Sequence, residues 1–196
     1  MQSEAPFRIA LLVILVLTTT MMVYYRLQAA KSGERISHEE EGWLFATSLR
    51  FVGMCMWIGT LAYLIYPTWM EWAALPLPNW LRWSGAFASV LFFGLMFWTL
   101  TNLGKNLTDT VAVRANATLV TSGPYRFVRH PFYVSTALVI CGVSLLTANW
   151  FLVVSGMASM VLLVIRTPNE EQKLIEKFGD QYRHYMATTG RFLPRM

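Results

Sequence analysis

Charge is what this chain has least of. Only 14% of its 196 residues are Asp, Glu, Lys or Arg, against about 25% in soluble globular domains, and its mean hydropathy is positive at +0.43. A chain so short of charge is not built to stay in water. Cysteine is scarce too. Cys55 and Cys141 are the two present, both inside apolar runs, so no disulfide framework is expected and packing is the simplest role. The histidines His38, His130 and His184 lie far apart, with no HExxH or Cys/His cluster, so no metal site is expected.

What the chain does have is long stretches without a single ionisable Asp, Glu, Lys or Arg: residues 9–25, 51–70, 83–104 and 131–165. A bilayer core of about 30 Å takes roughly 20 helical residues at about 1.5 Å each. The first three runs fit single spans. The last would be about 52 Å long as one helix, which is too long, and Thr147-Ala148-Asn149-Trp150 is a natural break that makes it a hairpin. Lipid offers no partners to backbone amides, so spans must be helices or a closed barrel, and the roughly ten-residue alternation of a barrel is missing. The expectation is an all-α integral membrane protein of about five transmembrane helices. The first run could also be read as a secretory signal, but Arg26 and Lys31 flank the cleavage region as they would flank an anchored helix.

The cations are unevenly divided. Fourteen of the sixteen Lys and Arg residues fall in the segments after spans one, three and five or at the start of span two, leaving only Arg8 and Arg82 for the other side. The positive-inside rule then predicts an N-terminus outside and a C-terminus in the cytosol. The same rule, with attraction to anionic lipid, accounts for the net charge of +5, and no nucleic-acid partner is expected. A hairpin over 131–165 also brings its two ends together, placing loop 105–131 beside tail 166–196.

That loop is long for a structureless connection, and long loops are commonly functional. Thr110-Val111-Ala112-Val113 and Leu119-Val120 are β-prone, and Ser122-Gly123-Pro124 marks a turn. Bases and aromatics then interleave through Tyr125-Arg126-Phe127-Val128-Arg129-His130-Pro131-Phe132-Tyr133. An interfacial belt with arginines on lipid phosphates and a cleft for a nucleotide or other anionic ligand both fit this pattern. In the tail, Thr167-Pro168-Asn169-Glu170 has the form of a capping box with Pro at the first helical position. It predicts a new helix starting there, with Glu170 spent on the cap and Glu171 unexplained. Leu174, Ile175 and Phe178 make a packing stripe, Gly179 a helix stop, and Asp180 a candidate cap for a short helix carrying Tyr182 and Tyr185. Ser84, Ala88, Ser155 and Ser159 are spaced for helix contacts.

An ordered set of motifs runs through the second half: Leu103-Gly104-Lys105-Asn106, Leu119-Val120-Thr121-Ser122-Gly123-Pro124-Tyr125-Arg126, Arg129-His130-Pro131-Phe132-Tyr133, Glu170-Glu171, Phe178-Gly179-Asp180-Gln181-Tyr182 and Arg191-Phe192-Leu193-Pro194. In this order the set resembles the isoprenylcysteine carboxyl methyltransferase and phospholipid methyltransferase superfamily of membrane enzymes, over roughly residues 100–196. The resemblance implies S-adenosylmethionine as methyl donor, in a cytosolic cofactor site built from the third loop and the C-terminal tail. Carried over residue by residue, it implies cofactor contacts from Tyr125, His130, Pro131, Tyr133, Glu170 and Glu171, and catalytic roles for Arg129, Glu171 and Arg191. It also implies residues 1–100 as three N-terminal spans and 101–196 as the catalytic region.

Eukaryotic carboxyl methyltransferases of this family carry basic residues in the helix before the LG-type motif, whereas 83–104 here has none. Any cation for a substrate carboxylate would have to come from Arg126, Arg129, Arg191 or Lys105. The expected acceptor is a lipophilic small molecule or prenylated substrate entering from the bilayer, a prenylcysteine-type carboxylate first among them, with membrane lipids as surroundings. Two other readings fit the architecture: an NADPH-dependent reductase of the sterol reductase kind, and a non-catalytic scaffold or transporter subunit.

Overall fold

In a computed structural model the described residues are 4–31, 42–107 and 117–195. Five long helices, α1 (Ala5–Ala30), α2 (Trp43–Ile65), α3 (Asn79–Leu103), α4 (Pro131–Thr147) and α5 (Trp150–Phe178), are followed by a short α6 (Asp180–Thr188). No strand occurs among the described residues, only the isolated bridges Ala74↔Asn149 and Val128↔Gly190. The β-prone run 110–113 lies outside the described residues, and Leu119-Val120 is not a strand.

Helices α1, α2, α3 and α5 are long and apolar enough to cross a membrane. At 17 residues, α4 is the short one, about 25 Å and at the lower limit for a span. Their outward faces carry Leu12, Val16, Phe51, Ile58, Phe87, Leu91, Val161 and Ile165 in exposed positions, as lipid-facing helices should. The chain is a multi-pass integral membrane protein. The α4–α5 hairpin turns where the sequence breaks: Ala148 is left-handed (φ 47°), and Asn149 caps α5 by accepting from the Leu152 amide.

Small residues set the closest packing. On α3, Gly85 and Ser89 meet Gly142 on α4, and a Cβ at Gly85 would come within 2.6 Å of the Gly142 carbonyl oxygen. Without a hydrophobic drive between helices in lipid, such close backbone approach supplies the attraction. Of the small residues spaced for contact, Ser155 is buried and Ala88 and Ser159 are half-buried, while Ser84 is exposed beside the buried Gly85 and Ser89 of the seam. Helix α1 joins this core through Phe7, Leu11 and Ile14, packed with Tyr63, Ala86, Val143 and Leu146.

At the end of the bundle holding the α4–α5 turn, a polar knot ties four helices. Arg82 donates to both Glu4 carboxylate oxygens (2.9 and 2.7 Å), to the Tyr63 hydroxyl (2.8 Å) and to the Leu146 carbonyl (3.0 Å). Tyr63 donates to Glu4 at 2.6 Å, and the Arg82 guanidinium covers the Phe7 ring at 3.6 Å. Arg8 closes the end of α2 through the Leu64 and Ile65 carbonyls. The two cations left for the other side are helix residues, engaged with helix ends.

A second correction concerns the tail. No helix begins at Thr167. Helix α5 runs unbroken from Trp150 to Phe178 with Pro168 inside it, about 44 Å in all. Pro168 removes one backbone hydrogen bond but sits on the exposed face, while fully buried Thr167 donates its hydroxyl to the Leu163 carbonyl. The capping box is thus a sequence coincidence inside a longer helix. Gly179 (φ 57°) does stop α5, and Asp180 binds Arg183 at 2.9 Å instead of capping α6.

Candidate functional site

Because α4 and α5 form a hairpin, the chain entering α4 and the chain leaving α5 emerge side by side, as the loop-and-tail argument requires. The tail then folds back on the loop. Val128 bridges Gly190, the Arg129 amide donates to the Gly190 carbonyl at 2.8 Å and the His130 amide to the Arg191 carbonyl at 3.1 Å. Gly190 is needed there, since a Cβ would overlap the Leu193 carbonyl. Pro131 opens α4 and is fully buried, which fixes the direction of His130 and Tyr133 on either side of it.

Glu171 is the hub. It is only 2% exposed, yet it accepts from three basic side chains: Arg129 Nε at 2.9 Å, His130 Nε2 at 3.2 Å and an Arg191 guanidinium nitrogen. Arg129 also donates to the Met186 (3.2 Å) and Thr189 carbonyls, so one guanidinium spans α5, the loop and the tail. Residues 131–165 form the charge-free part of the hairpin, and Glu171 lies beyond it. Burial pushes its carboxyl up, but the hydrogen bonds from His130, Arg191 and Arg129 outweigh that and bring it down to about 2. Of the arginines in the basic-aromatic run, Arg129 sits on a protein carboxylate, while Arg126 is exposed.

Glu170, one residue earlier, points elsewhere. It is not spent on a cap; it accepts from the Tyr133 hydroxyl at 2.6 Å. Tyr133 stacks on His130 with centroids 5.4 Å apart, and Phe192 also packs on that imidazole, tilted by 47° at 5.7 Å. Tyr185 donates to the Tyr125 carbonyl. Tyr125 and Tyr182 are buried, and burial holds both phenols above their ordinary range.

These groups surround a cavity of about 330 Å³, within the range of small-molecule sites. Tyr125, Arg129, His130, Tyr133 and Glu170 line it; Pro131, Glu171 and Arg191 stand behind its wall. The paired glutamates thus divide the work, Glu170 facing the space and Glu171 anchoring the residues that shape it. The cavity also draws on Met22 and Arg26 of α1, Leu49 of α2, and one face of α5: Leu163, Arg166, Glu170, Leu174 and Phe178, spaced at helical intervals. Sequence reasoning passed over Arg166, read only as a topological charge. Its place one turn before Glu170 on the same helical face was the available clue, hidden by the supposed helix start at Thr167.

Known proteins resemble this chain in sequence and in fold. Residues 86–176 match the model of the isoprenylcysteine carboxyl methyltransferase (ICMT) family. The chain is 33% identical to the cobalt-zinc-cadmium resistance protein CzcN of Cupriavidus metallidurans over 121 residues, 59% of this chain and 55% of that protein. It is 30% identical to the protein-S-isoprenylcysteine O-methyltransferase of Dictyostelium discoideum over 138 residues, 64% of this chain and 55% of that one. The matches therefore span about half the length of these curated relatives. A solved structure of the eukaryotic intramembrane Ras methyltransferase ICMT superposes with a TM-score of 0.59 at 20% identity, over 92% of this chain and 67% of that one, which establishes a shared fold. A matched family model over the α3–α5 core and related sequences make the chain similar to the ICMT family over that region, and it shares the membrane fold of the solved ICMT structure.

Proposed function

We propose that this protein is a membrane-embedded methyltransferase that takes its methyl group from S-adenosylmethionine and delivers it to a lipophilic acceptor of the prenylcysteine-carboxylate type. One observation carries the reading: a cavity lined by Glu170, His130 and the rings of Tyr125, Tyr133, Tyr182 and Tyr185 lies at the ends of lipid-facing helices and is reached by apolar Met22, Leu49 and Leu163.

The residues fit the donor's chemistry. A carboxylate such as Glu170 can accept hydrogen bonds from ribose hydroxyls or an ammonium, and aromatic faces attract a sulfonium. In this reading Tyr133 aims Glu170, while Glu171 acts as a positioning residue that holds Arg129, His130 and Arg191 in register. When bound, S-adenosylmethionine would supply an electrophilic methyl group: an already ionised carboxylate oxygen would form the O–CH3 bond in line as the S–CH3 bond breaks, leaving sulfur as a neutral thioether. Alignment is then the main demand on the protein. The wall of α4, α5 and the returning tail, tied through Glu171, supplies a rigid frame for it. The charge asymmetry supports a cytosolic position for this end of the bundle, with the N-terminus on the other side.

The test uses purified full chain in detergent. S-adenosylmethionine should bind, and methyl label should pass to a panel of S-prenylated cysteine derivatives but not to their amides. Binding of NADPH without binding of S-adenosylmethionine would replace this reading with the reductase one.

A further inference from the structure

Four of the five long helices carry a charge-free stretch shorter than a bilayer core. It covers 9–25 on α1, 131–147 on α4 and 150–165 on α5. On α2 it covers 51–65, from the residue after exposed Arg50 to the end of the helix. Each stretch holds fifteen to seventeen residues, about 22–26 Å before any tilt, against about 30 Å for a typical hydrocarbon core. Helix α3 is longer, but its exposed indoles Trp83 and Trp98 stand fifteen residues apart, about 22 Å. Indoles settle at headgroup level, so they mark the same narrow band.

The two edges of the band are built differently. At the α4–α5 turn Trp69, Trp72, Trp80, Trp83 and Trp150 are exposed, five of the eight tryptophans in the chain. The connection between α2 and α3 is fastened to that turn. The Leu75 amide donates to the Ala148 carbonyl at 2.7 Å, and the Asn149 side chain donates to the Met70 carbonyl at 3.1 Å. Met70 and Ala73 are buried there while Trp69 and Trp72 are exposed, and Trp72 meets Trp150 edge-on at 5.3 Å. This edge is an aromatic belt that holds one end of the bundle at headgroup depth.

The other edge holds the cavity. Met22 and Arg26 bracket the end of the α1 stretch, Leu49 precedes Arg50 on α2, His130 precedes the α4 stretch, and Leu163 and Arg166 bracket the end of the α5 stretch; all but Arg50 line the cavity. Glu170 stands one turn farther along α5, about 6 Å. A short apolar stretch is met by thinning of the bilayer, by snorkelling of flanking cations or by association, each at a cost that grows with the mismatch. With one end pinned by the belt, the mismatch falls on the cavity end. A thick hydrocarbon layer would rise past Arg26, Arg50 and Arg166 toward Glu170, where immersing charge is costly.

We infer that the lipid-facing surface of this chain is fitted to a hydrocarbon layer about 25 Å thick, and that bilayer thickness tunes the cavity through it. The partner is a bilayer of short acyl chains. This rests on helix lengths and on the place of the cavity, and it holds with or without the methyltransferase reading.

The experiment follows thermal melting and S-adenosylmethionine affinity of the full chain in nanodiscs of phosphatidylcholine with monounsaturated chains of fourteen to twenty-two carbons. The melting temperature should be highest at fourteen or sixteen carbons and fall by several degrees toward twenty-two. Donor affinity should fall at least threefold over the same series. Arg50→Leu makes the whole of Trp43–Ile65 charge-free and should move the melting maximum toward longer chains. Arg50→Lys keeps the charge and should leave the maximum where it is. A flat wild-type profile, the result of cations snorkelling at no cost, would overturn the inference, as would a maximum at twenty carbons or more. An Arg50→Leu maximum that does not move would overturn the band edge on α2, and if that variant fails to fold the wild-type profile decides alone. Constant donor affinity across a series with a clear melting maximum would overturn the link to the cavity. The expected melting profile in discs where S-adenosylmethionine never binds would support the fitted surface and sink the methyltransferase reading.

Discussion

Each end of this bundle holds a carboxylate gripped by arginine and an aromatic neighbour, and the cavity of about 330 Å³ lies beside one of them. At the α4–α5 turn, Glu4, Tyr63 and Arg82 satisfy one another and the Leu146 carbonyl. At the other end Glu171 is ringed by Arg129, His130 and Arg191, and two of those three form the wall of a space about 330 Å³ in volume. The same chemistry therefore does different things. The first knot fastens helix ends to each other. The second fixes two side chains whose other faces remain available to a ligand. A buried ion pair alone says little about function; the space next to it does.

The sharpest way to break the comparison is Glu171→Gln. Removing the charge leaves Arg129 buried opposite an amide, a change that costs on the order of 3 kcal/mol or more when a buried pair loses one partner. Donor affinity and turnover should both fall by at least about a hundredfold, since each 1.4 kcal/mol is a factor of ten. Calorimetric binding and thermal melts of the same preparation check it; wild-type donor affinity would show that the hub does not shape the cavity. The sign with pH follows from the lowered carboxyl. Its ordinary value is 4.5 and its folded value about 2, so the stabilisation is complete above about pH 4.5 and disappears as pH falls toward 2. Wild type should lose stability through that window, and Glu171→Gln should lose less.

Next in size is a change that touches neither knot. Gly142→Val forces a side chain into Ser89 and the Gly85 carbonyl, an overpacking worth about 1–3 kcal/mol. It should lower the melting temperature while leaving donor affinity of the folded fraction near wild type. Tyr133→Phe does the reverse. It removes the 2.6 Å hydrogen bond to Glu170, and bonds to charged groups contribute roughly 1.5–3 kcal/mol. Donor affinity should therefore drop by about tenfold with little change in melting temperature. If both variants moved both readouts equally, packing and site would not be separable in this fold.

How much of this could be read from sequence depends on distance along the chain. Charge-free runs gave the helices, because lipid tests each residue in a span for the same property. The turn at Ala148-Asn149 was legible because breaking a 35-residue apolar run is obligatory, and Asn149 is a good cap. The meeting of loop and tail followed from the hairpin alone. Pairings inside the site were not legible. Nothing local says that Tyr133 reaches Glu170 or that Glu171 gathers three bases, for those contacts join residues 37 to 42 apart or bridge from the returning tail. At Thr167 the local pattern misled: a good capping sequence was overridden by burial of Thr167 and continuation of α5, and with it went the view of Arg166 and Glu170 on one face.

The smallest expected effect tests the closed end. In Glu4→Gln the amide keeps hydrogen-bonding capacity toward Arg82 and Tyr63 but loses the charge, and the Glu4 side chain is already 38% exposed. Water can compensate a half-open pair, so the cost should be about 1 kcal/mol or less, read as a small fall in melting temperature. Turnover and donor affinity should stay within twofold, because no side chain of this knot lines the cavity. The comparison sharpens if activity stays flat while stability slips. It breaks if Glu4→Gln costs tenfold in turnover, because the far knot would then be setting the position of α1, and through Met22 and Arg26 the shape of the site itself.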